Sequence, residues 1–436
     1  MPSTGKFTQF LKHISIYTFV SFFGAGINFF LMPYLSHFIS PAEYGILALV
    51  NSFVTILIPI TGLVASGLIT VEYYKLQDKS EFASLFSSIQ VVPLIPTLAC
   101  LLITIFFSKS LATFLEIPAS KSYWLIVSVF LAVLTIYYET LLSYNVIEKK
   151  PGYYALFNIS RLLLEVGLTV WFVSGLKMSW EGRLLSWLIS SVISFGVSIF
   201  YFNKRRLITK RISRKYMYAG IAFGLPLILH TIGKFVINQS DRIFIAKMVS
   251  LNEAGIYNIG YQVGMVMLLL VNAIGNFYQP FLYERLANLS ENGKIEITRM
   301  SYLVVAGLII CLLLITFFTP LFFRWLVSKD YAKGTIYVFW IGLSYFFWGL
   351  YILFSGFIFY LGKTKFLGVL AIINVALNLF LNYILINWLG ALGAAYATCI
   401  SFFVIAVIVF IEVNKHYPMP WLSFKLILKT NKQIIP

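Results

Sequence analysis

The sequence is poor in charged residues, in acids and in cysteine. Of its 436 residues only 11% are Asp, Glu, Lys or Arg, whereas 60% are hydrophobic. Soluble globular domains carry about 25% charged residues, so this composition excludes a soluble domain and indicates a protein whose solvent is a bilayer. The three cysteines, Cys100, Cys311 and Cys399, lie inside apolar runs and form no CxxC pair. This distribution argues against a disulfide framework and against a zinc site.

Long apolar runs recur along the whole chain. A helix needs about 20 apolar residues to cross a bilayer, and backbone polar groups in lipid must be satisfied within the segment. The runs therefore predict helices, and we expect an all-α polytopic membrane protein with twelve transmembrane helices. The predicted spans are residues 14–36, 44–70, 84–108, 122–146, 154–174, 184–203, 217–239, 254–280, 300–323, 335–361, 366–388 and 390–412.

The few charges are unevenly distributed. There are 33 Lys and Arg residues against 16 Asp and Glu, and 22 of the 33 fall in loops and ends on one side of the predicted membrane. Nine fall on the opposite side and two, Arg161 and Lys234, lie inside spans. This asymmetry follows the positive-inside rule and places both termini in the cytoplasm. The basic charge is therefore a topology signal that also suits anionic lipid headgroups, and a nucleic-acid partner is not expected.

Two short stretches recur at an offset of about half the chain. Ser40, Glu43, Gly45 and Ile46 match Ser250, Glu253, Gly255 and Ile256, and a Gly/Ile/Ser set at 182–190 matches one at 393–401. Duplication explains both echoes, although short glycine-containing stretches also match by coincidence. Duplication predicts a six-helix bundle at 1–203, a basic cytoplasmic linker at 204–216, a second six-helix bundle at 217–413 and a cytoplasmic tail at 414–436. Parallel repeats of this kind bind substrate at the repeat interface and expose it alternately.

The repeated stretch suits a helix start at the outer turn between the first two spans of each half. Proline is tolerated in the first turn of a helix, and an acid there favours the positive end of the dipole. We therefore interpret Pro41 and Glu43 as structural, with Gly45 and Gly255 allowing close approach of helices.

Three motifs resemble the polysaccharide transporter branch of the MOP exporters, the multidrug, oligosaccharidyl-lipid and polysaccharide superfamily. "FISPAEYGILAL" resembles the outer turn of this branch, and "NQSDRIFIAK" at 238–247 resembles its Asp-Arg turn after the seventh span. The strongest match is "GKTKFLGVLAIINVALNLFLNYILINWLGALGAAYATCIS" at 362–401. The resemblance covers nearly the whole chain in span count and order, and its motifs specify the family better than the substrate.

The resemblance implies two six-helix bundles around a central cavity in the bacterial inner membrane. It also implies a flippase that moves undecaprenyl-diphosphate-linked oligosaccharide repeat units of O-antigen or capsule from the cytoplasmic to the periplasmic leaflet. We expect alternating access without catalysis, no bound cofactor, and coupling to a proton or sodium gradient. The expected partners are the lipid-linked glycan, membrane lipids and other membrane proteins of polysaccharide assembly.

The seventh span carries the main candidate site. His230, Lys234 and Asn238 are spaced by four residues and Arg242 continues the row, so the four share one helix face. The resemblance implies that the first and seventh spans line the cavity, where a cationic stripe would attract a diphosphate at low dielectric. In the alternative interpretation Lys234 pairs with a fixed acid such as Glu139, and His230 is a satisfied bundle residue.

Further polar residues lie inside other spans. Arg161 and Glu165 are four residues apart in the fifth span, so they can neutralise each other or contact substrate. Glu139 and Glu165 are candidates for proton or sodium coupling, and a buried hydrogen-bonded role for Glu139 is equally open. Asn28 in the first span is a candidate for binding sugar hydroxyls. Asn374, Asn378 and Asn382 also repeat by four, and for them interhelical hydrogen bonds are the favoured interpretation.

Two other functions remain as alternatives. A cation-coupled multidrug exporter of the same superfamily would need acidic groups in its cavity, and only Glu139 and Glu165 lie well inside spans. A membrane enzyme of polysaccharide assembly would need grouped acids or a large outer loop, and the sequence has neither.

Overall fold

Helices make up all the regular structure of the described part of the chain. The computed structural model describes the backbone of residues 4–421 and the side chains of residues 16–421 other than 229, 230 and 234. Its α-helices are α1 Thr4–Ser36, α2 Pro41–Gly62, α3 Gly67–Glu72, α4 Lys79–Val91, α5 Leu94–Phe106, α6 Ser108–Phe114, α7 Tyr123–Ile147, α8 Pro151–Val170, α9 Ser179–Lys204, α10 Arg214–Met248, α11 Leu251–Gly264, α12 Val266–Ala287, α13 Glu291–Leu326, α14 Thr335–Tyr360, α15 Thr364–Leu389 and α16 Ala391–His416.

Twelve helical segments in the described residues are long and apolar enough to cross a membrane. α4 with α5 forms the third and α11 with α12 forms the eighth, so the predicted number and order of spans are confirmed. Large apolar side chains cover their outer faces, and Phe106, Phe317 and Trp388 are 81%, 73% and 77% exposed. A surface of this kind is stable in lipid and unstable in water, so the chain is a multi-pass membrane protein.

The chain forms two compact units, Met1–Gly255 and Ile256–Pro436. In the first unit, aromatic side chains such as Phe86 and Phe202, whose ring centroids are 4.8 Å apart, form a buried core with Leu141. In the second unit, α14 packs against α12, α13 and α16. The bundle boundaries predicted from the sequence, at residues 204–216, stay a prediction.

The second predicted span ends earlier than its hydropathy suggests. α2 stops at Gly62 because Leu63 and Val64 both adopt left-handed backbone angles, with φ of 48° and 50°. α10 approaches this break at Gly224, where a Cβ would lie 1.7 Å from the carbonyl oxygen of Leu63. Glycine is therefore required for α10 to pack here, and Gly224 serves close packing inside the first unit.

The asparagine row of α15 is buried in the second unit. Asn374, Asn378 and Asn382 are 2%, 0% and 0% exposed. The amide of Asn378 donates to the hydroxyls of Thr398 (3.5 Å) and Ser401 (3.4 Å) on α16, and Asn382 donates to Asn378 at 3.1 Å. The structure therefore agrees with interhelical packing as the role of this row, which belongs to the motif that carried the family resemblance.

Candidate functional site

The repeated stretch builds the same helix start twice. The hydroxyl of Ser40 accepts a hydrogen bond from the backbone N–H of Glu43 (3.4 Å), whose carboxylate accepts one from the N–H of Ser40 (3.1 Å). At the second copy the hydroxyl of Ser250 accepts from the N–H of Glu253 at 3.1 Å. These contacts confirm the interpretation as a helix start. The sequence signal for them is Ser-x-x-Glu, the capping-box pattern.

The two copies lie against each other within the first unit. A Cβ on Gly45 would lie 2.2 Å from the carbonyl oxygen of Leu251, and one on Gly255 would lie 1.8 Å from the carbonyl oxygen of Pro41. Both distances are shorter than any real Cβ contact. The first turns of α2 and α11 therefore meet backbone to backbone, and only glycine at both positions permits this approach.

α10 carries the predicted cationic stripe. It is one continuous helix from Arg214 to Met248, so positions 230, 234, 238 and 242 lie on one face. The side chains of His230 and Lys234 lie outside the described residues, and their binding roles stay predictions.

The remaining stripe residues lie near the C-terminal end of α10. Asn238 is half-buried, whereas Arg242 is 3% exposed and its guanidinium donates to the carbonyl oxygen of Asn238 at 2.5 Å. Nearby, the hydroxyl of Ser52 on α2 donates to the amide oxygen of Gln239 at 3.1 Å. Arg242 is thus enclosed by protein in this conformation, and its predicted contact with substrate stays a prediction.

Arg161 on α8 has more N–H donors than the contacts described for it use. One terminal nitrogen donates to the hydroxyl of Ser191 on α9 at 3.2 Å, and the guanidinium carbon lies 4.1 Å from the ring centroid of Tyr138 on α7. Among the described residues its buried Nε has no hydrogen-bond partner. Because a guanidinium carries five N–H donors, Arg161 retains capacity to bind an anion.

Glu139 lies near this guanidinium. Its side chain is exposed, and Arg161 lies within electrostatic range. Arg161 is therefore the cation that the structure describes beside Glu139, whereas the pairing of Glu139 with Lys234 lies outside the described side chains.

Glu165 pairs with a partner that the sequence analysis did not identify. Its carboxylate accepts a hydrogen bond from Arg183 on α9 at 2.6 Å, with side chains 15% and 18% exposed. Arg183 also donates to the hydroxyl of Thr169 at 3.2 Å. Of the two alternatives for Arg161 and Glu165, mutual neutralisation is therefore wrong, because tertiary packing brings Arg183 to Glu165 and leaves Arg161 facing Ser191. Sequence spacing could not reveal a pair 18 residues apart.

Glu165→Gln is expected to destabilise the protein by about 2 kcal/mol, because it leaves the half-buried Arg183 without a charged partner. The double variant Glu165→Gln/Arg183→Gln should recover most of this loss. The measurement is the thermal unfolding of purified protein in detergent. Normal stability of Glu165→Gln together with lost transport would instead favour Glu165 as the coupling carboxylate.

The first helix contributes an apolar groove. A cavity of about 490 Å³ lies between α1 and α8, lined by side chains that include Phe23, Phe30, Tyr34 and Val166. On the same helix Asn28 is exposed, and its amide donates to the carbonyl oxygen of Gly24 at 3.1 Å. Its predicted contact with sugar hydroxyls stays a prediction.

Comparisons with known proteins give the fold and the family. The chain is similar to an Lsg locus protein of Haemophilus influenzae, 24% identical over 361 residues that cover 80% of this chain and 84% of the relative. It is also similar to a second membrane protein of that organism, 24% identical over 397 residues, 89% of this chain and 91% of the relative.

Solved transporters share the architecture. The lipid II flippase MurJ in an inward closed conformation aligns with a TM-score of 0.69 at 16% identity, over 91% of this chain and 87% of its own. An inward-facing MATE multidrug resistance transporter of the MOP superfamily aligns with a TM-score of 0.68 at 15% identity, over 89% and 93%. The fold is therefore that of the MOP superfamily.

The family follows from a match that covers more than half of the chain. The polysaccharide biosynthesis protein family matches residues 10–281, which include the predicted first span, α8 with Arg161 and the whole of α10. With its twelve apolar helices and its MOP fold, the chain belongs to the polysaccharide biosynthesis protein family.

Proposed function

We propose that the protein is a flippase that moves undecaprenyl-diphosphate-linked oligosaccharide repeat units, of the O-antigen or capsule type, from the cytoplasmic to the periplasmic leaflet of the inner membrane. The observation that carries the proposal is Arg161, a half-buried arginine with unused donors inside a span. Ionisable groups in spans are costly and mark substrate or ion pathways. Family membership and the fold shared with a lipid II flippase support a lipid-linked cargo.

In the proposed mechanism the charged headgroup crosses inside the protein while the lipid tail stays in the bilayer. The diphosphate meets Arg161 and Lys234, and alternating access releases it on the outer side. A guanidinium presents a planar fork that matches phosphate oxygens, whereas lysine acts as a point charge suited to a moving ligand. No covalent bond changes, so no catalytic residue is required.

Glu139 is the carboxylate that we propose for proton or sodium coupling. Glu139 is accessible and lies close to Arg161. A cation bound at Glu139 would weaken the attraction between its carboxylate and Arg161. The guanidinium would then be free to bind the diphosphate. Glu165 is the weaker candidate, because its carboxylate already forms an ion pair with Arg183.

The direct test is the leaflet distribution of lipid-linked glycans in host cells depleted of this protein. We expect complete repeat units to accumulate facing the cytoplasm while surface polysaccharide is lost. Normal glycan export with altered drug sensitivity would identify a multidrug exporter instead. Unpolymerised repeat units already on the outer leaflet would indicate an enzyme of assembly.

Lys234→Ala is expected to abolish transport while the protein stays inserted and abundant, because the substitution removes a cation from the proposed path at low dielectric. Lys234→Arg should retain part of the activity, since it keeps the charge. The measurement is surface polysaccharide restored in depleted cells, normalised to the amount of protein in the membrane. Full activity of Lys234→Ala would remove this residue from the mechanism.

A further inference from the structure

A second polar site lies apart from Arg161, at one end of the first unit. It is a pocket of about 1070 Å³ between the start of α4, the end of α7 and the linker that joins α9 to α10. Four cationic side chains and one carboxylate line it: Lys79, Arg205, Arg206, Arg211 and Glu148. From the sequence this linker is predicted as a basic cytoplasmic segment at 204–216, without a binding pocket.

The linker is fixed to α4 by a row of serines. The hydroxyl of Ser87 donates to the carbonyl oxygen of Leu207 (2.9 Å) and accepts from the N–H of Thr209 (2.8 Å). Ser88 accepts from the N–H of residue 213 at 2.8 Å, and Ser84 donates to the carbonyl oxygen of residue 211 at 2.7 Å. The Leu207 side chain is also buried in the core of the first unit. These contacts hold the basic residues in place before any ligand arrives, which lowers the entropic cost of binding.

The carboxylate of the pocket is already satisfied. Glu148 forms ion pairs with Lys150 and with Arg205 (3.9 Å), and it accepts a hydrogen bond from the Tyr144 hydroxyl at 2.8 Å. Burial alone would raise the pKa of Glu148, but the hydrogen bonds from Lys150 and Tyr144 hold it below its ordinary value. Glu148 therefore stays charged, and its ion pairs engage Lys150 and Arg205 rather than Lys79, Arg206 or Arg211.

Three cations remain for a ligand. Arg211 is within electrostatic range of Asp78, whose carboxylate caps α4 through the backbone N–H and the hydroxyl of Ser80, both at 2.8 Å. For the side chains of Lys79 and Arg206 the described part of the chain provides no hydrogen bond or ion pair. The pocket thus has an excess of positive charge on a fixed backbone.

The position of the pocket at the ends of the apolar spans indicates the kind of ligand that it binds. Lys79 begins the third apolar span, while α7 and α9 end the fourth and sixth at Ile147 and Lys204. Helix ends of this kind lie at the phosphate layer of a bilayer, where basic pockets bind acidic headgroups. We propose that this pocket binds the phosphate headgroup of an anionic membrane phospholipid and anchors the first unit to the leaflet surface. The site is separate from the proposed transport path, so its test does not depend on flipping.

The experiment uses the purified full chain in detergent and native mass spectrometry. Phosphatidylglycerol and phosphatidylcholine with the same acyl chains are titrated separately. The wild type should retain phosphatidylglycerol preferentially. The triple variant Lys79→Gln/Arg206→Gln/Arg211→Gln should lose about fivefold in apparent affinity for each charge removed, with phosphatidylcholine binding unchanged. The variant keeps the backbone contacts to Ser84, Ser87 and Ser88, and its unfolding temperature verifies that it is folded.

A control variant removes the same charge elsewhere. Lys109, Lys177 and Lys365 are exposed, and their combined replacement by Gln should leave phosphatidylglycerol retention at the wild-type level. Equal retention by the pocket triple variant and the wild type would overturn the proposal. Inorganic diphosphate that binds as tightly as the lipid would assign the pocket to a soluble phosphate. Tighter retention of a polyprenyl diphosphate than of phosphatidylglycerol would assign it to the transport substrate.

Discussion

Arg161→Ala is expected to reduce transport of the lipid-linked glycan by about 10- to 100-fold, the equivalent of losing one charge-assisted hydrogen bond. In the described part of the chain, Nε of Arg161 is buried without a hydrogen-bond partner, and a terminal nitrogen donates to Ser191. In the proposed function these donors bind the diphosphate of the lipid-linked glycan. Arg161→Lys should retain part of the rate, because it keeps the charge and loses the planar fork.

The measurement is transport by purified protein in proteoliposomes, with protein orientation and amount determined for each variant. Arg324→Ala is the matched control, since Arg324 is an exposed arginine in the second unit. A structural role for Arg161 makes a different prediction. If Arg161 only neutralises Glu139, the double variant Arg161→Ala/Glu139→Gln should regain transport. If Arg161 binds the anion, the double variant should stay inactive. Wild-type transport by Arg161→Ala would exclude it from the site.

Gly255→Ala is expected to destabilise the protein by about 1–3 kcal/mol, the usual cost of overpacking. The new Cβ would lie 1.8 Å from the carbonyl oxygen of Pro41, and backbone atoms on both sides leave no flexible side chain to move. Gly45→Ala meets the carbonyl oxygen of Leu251 at 2.2 Å and should behave in the same way. Both variants force the first turns of α2 and α11 apart.

Thermal unfolding in detergent measures this effect. Gly196→Ala in α9 is the control, because a Cβ there has nothing within 4 Å. Alanine is a better helix former than glycine by about 1 kcal/mol, so the control should be as stable as the wild type or more stable. If Gly255→Ala unfolded at the same temperature as Gly196→Ala, the contact between the two repeated stretches would not form in the folded protein.

Much of the architecture was predictable because lipid leaves few choices. Helices satisfy the backbone within one segment, so long apolar runs give the number and order of the spans directly. The helix starts at Ser40 and Ser250 were equally predictable from the sequence, since a capping residue acts on the three residues that follow it. The end of α2 at Leu63 and Val64 could not be predicted from hydropathy, because α10 packs against it through Gly224, far away in the sequence.

The site was only partly predictable. The sequence places Arg161 and Glu139 inside spans, and burying a charge is costly wherever the residue lies. Which charges meet is a different question, because side chains on separate helices come together through packing. In the structure Glu165 forms an ion pair with Arg183, and Arg161 lies within electrostatic range of Glu139. Spacing along one helix allowed a pair between Arg161 and Glu165, and it gave no sign of Arg183, which lies on another helix.

Twelve apolar helices, their order, an internal echo and a basic linker could be predicted, because they follow from local hydropathy, charge and chain spacing. Three features became visible only in the folded chain. The two echoed stretches touch, Ser84, Ser87 and Ser88 hold the linker on α4, and Arg161 keeps unused donors. These features depend on contacts between residues far apart in the chain, and such contacts are fixed by the packing of whole helices.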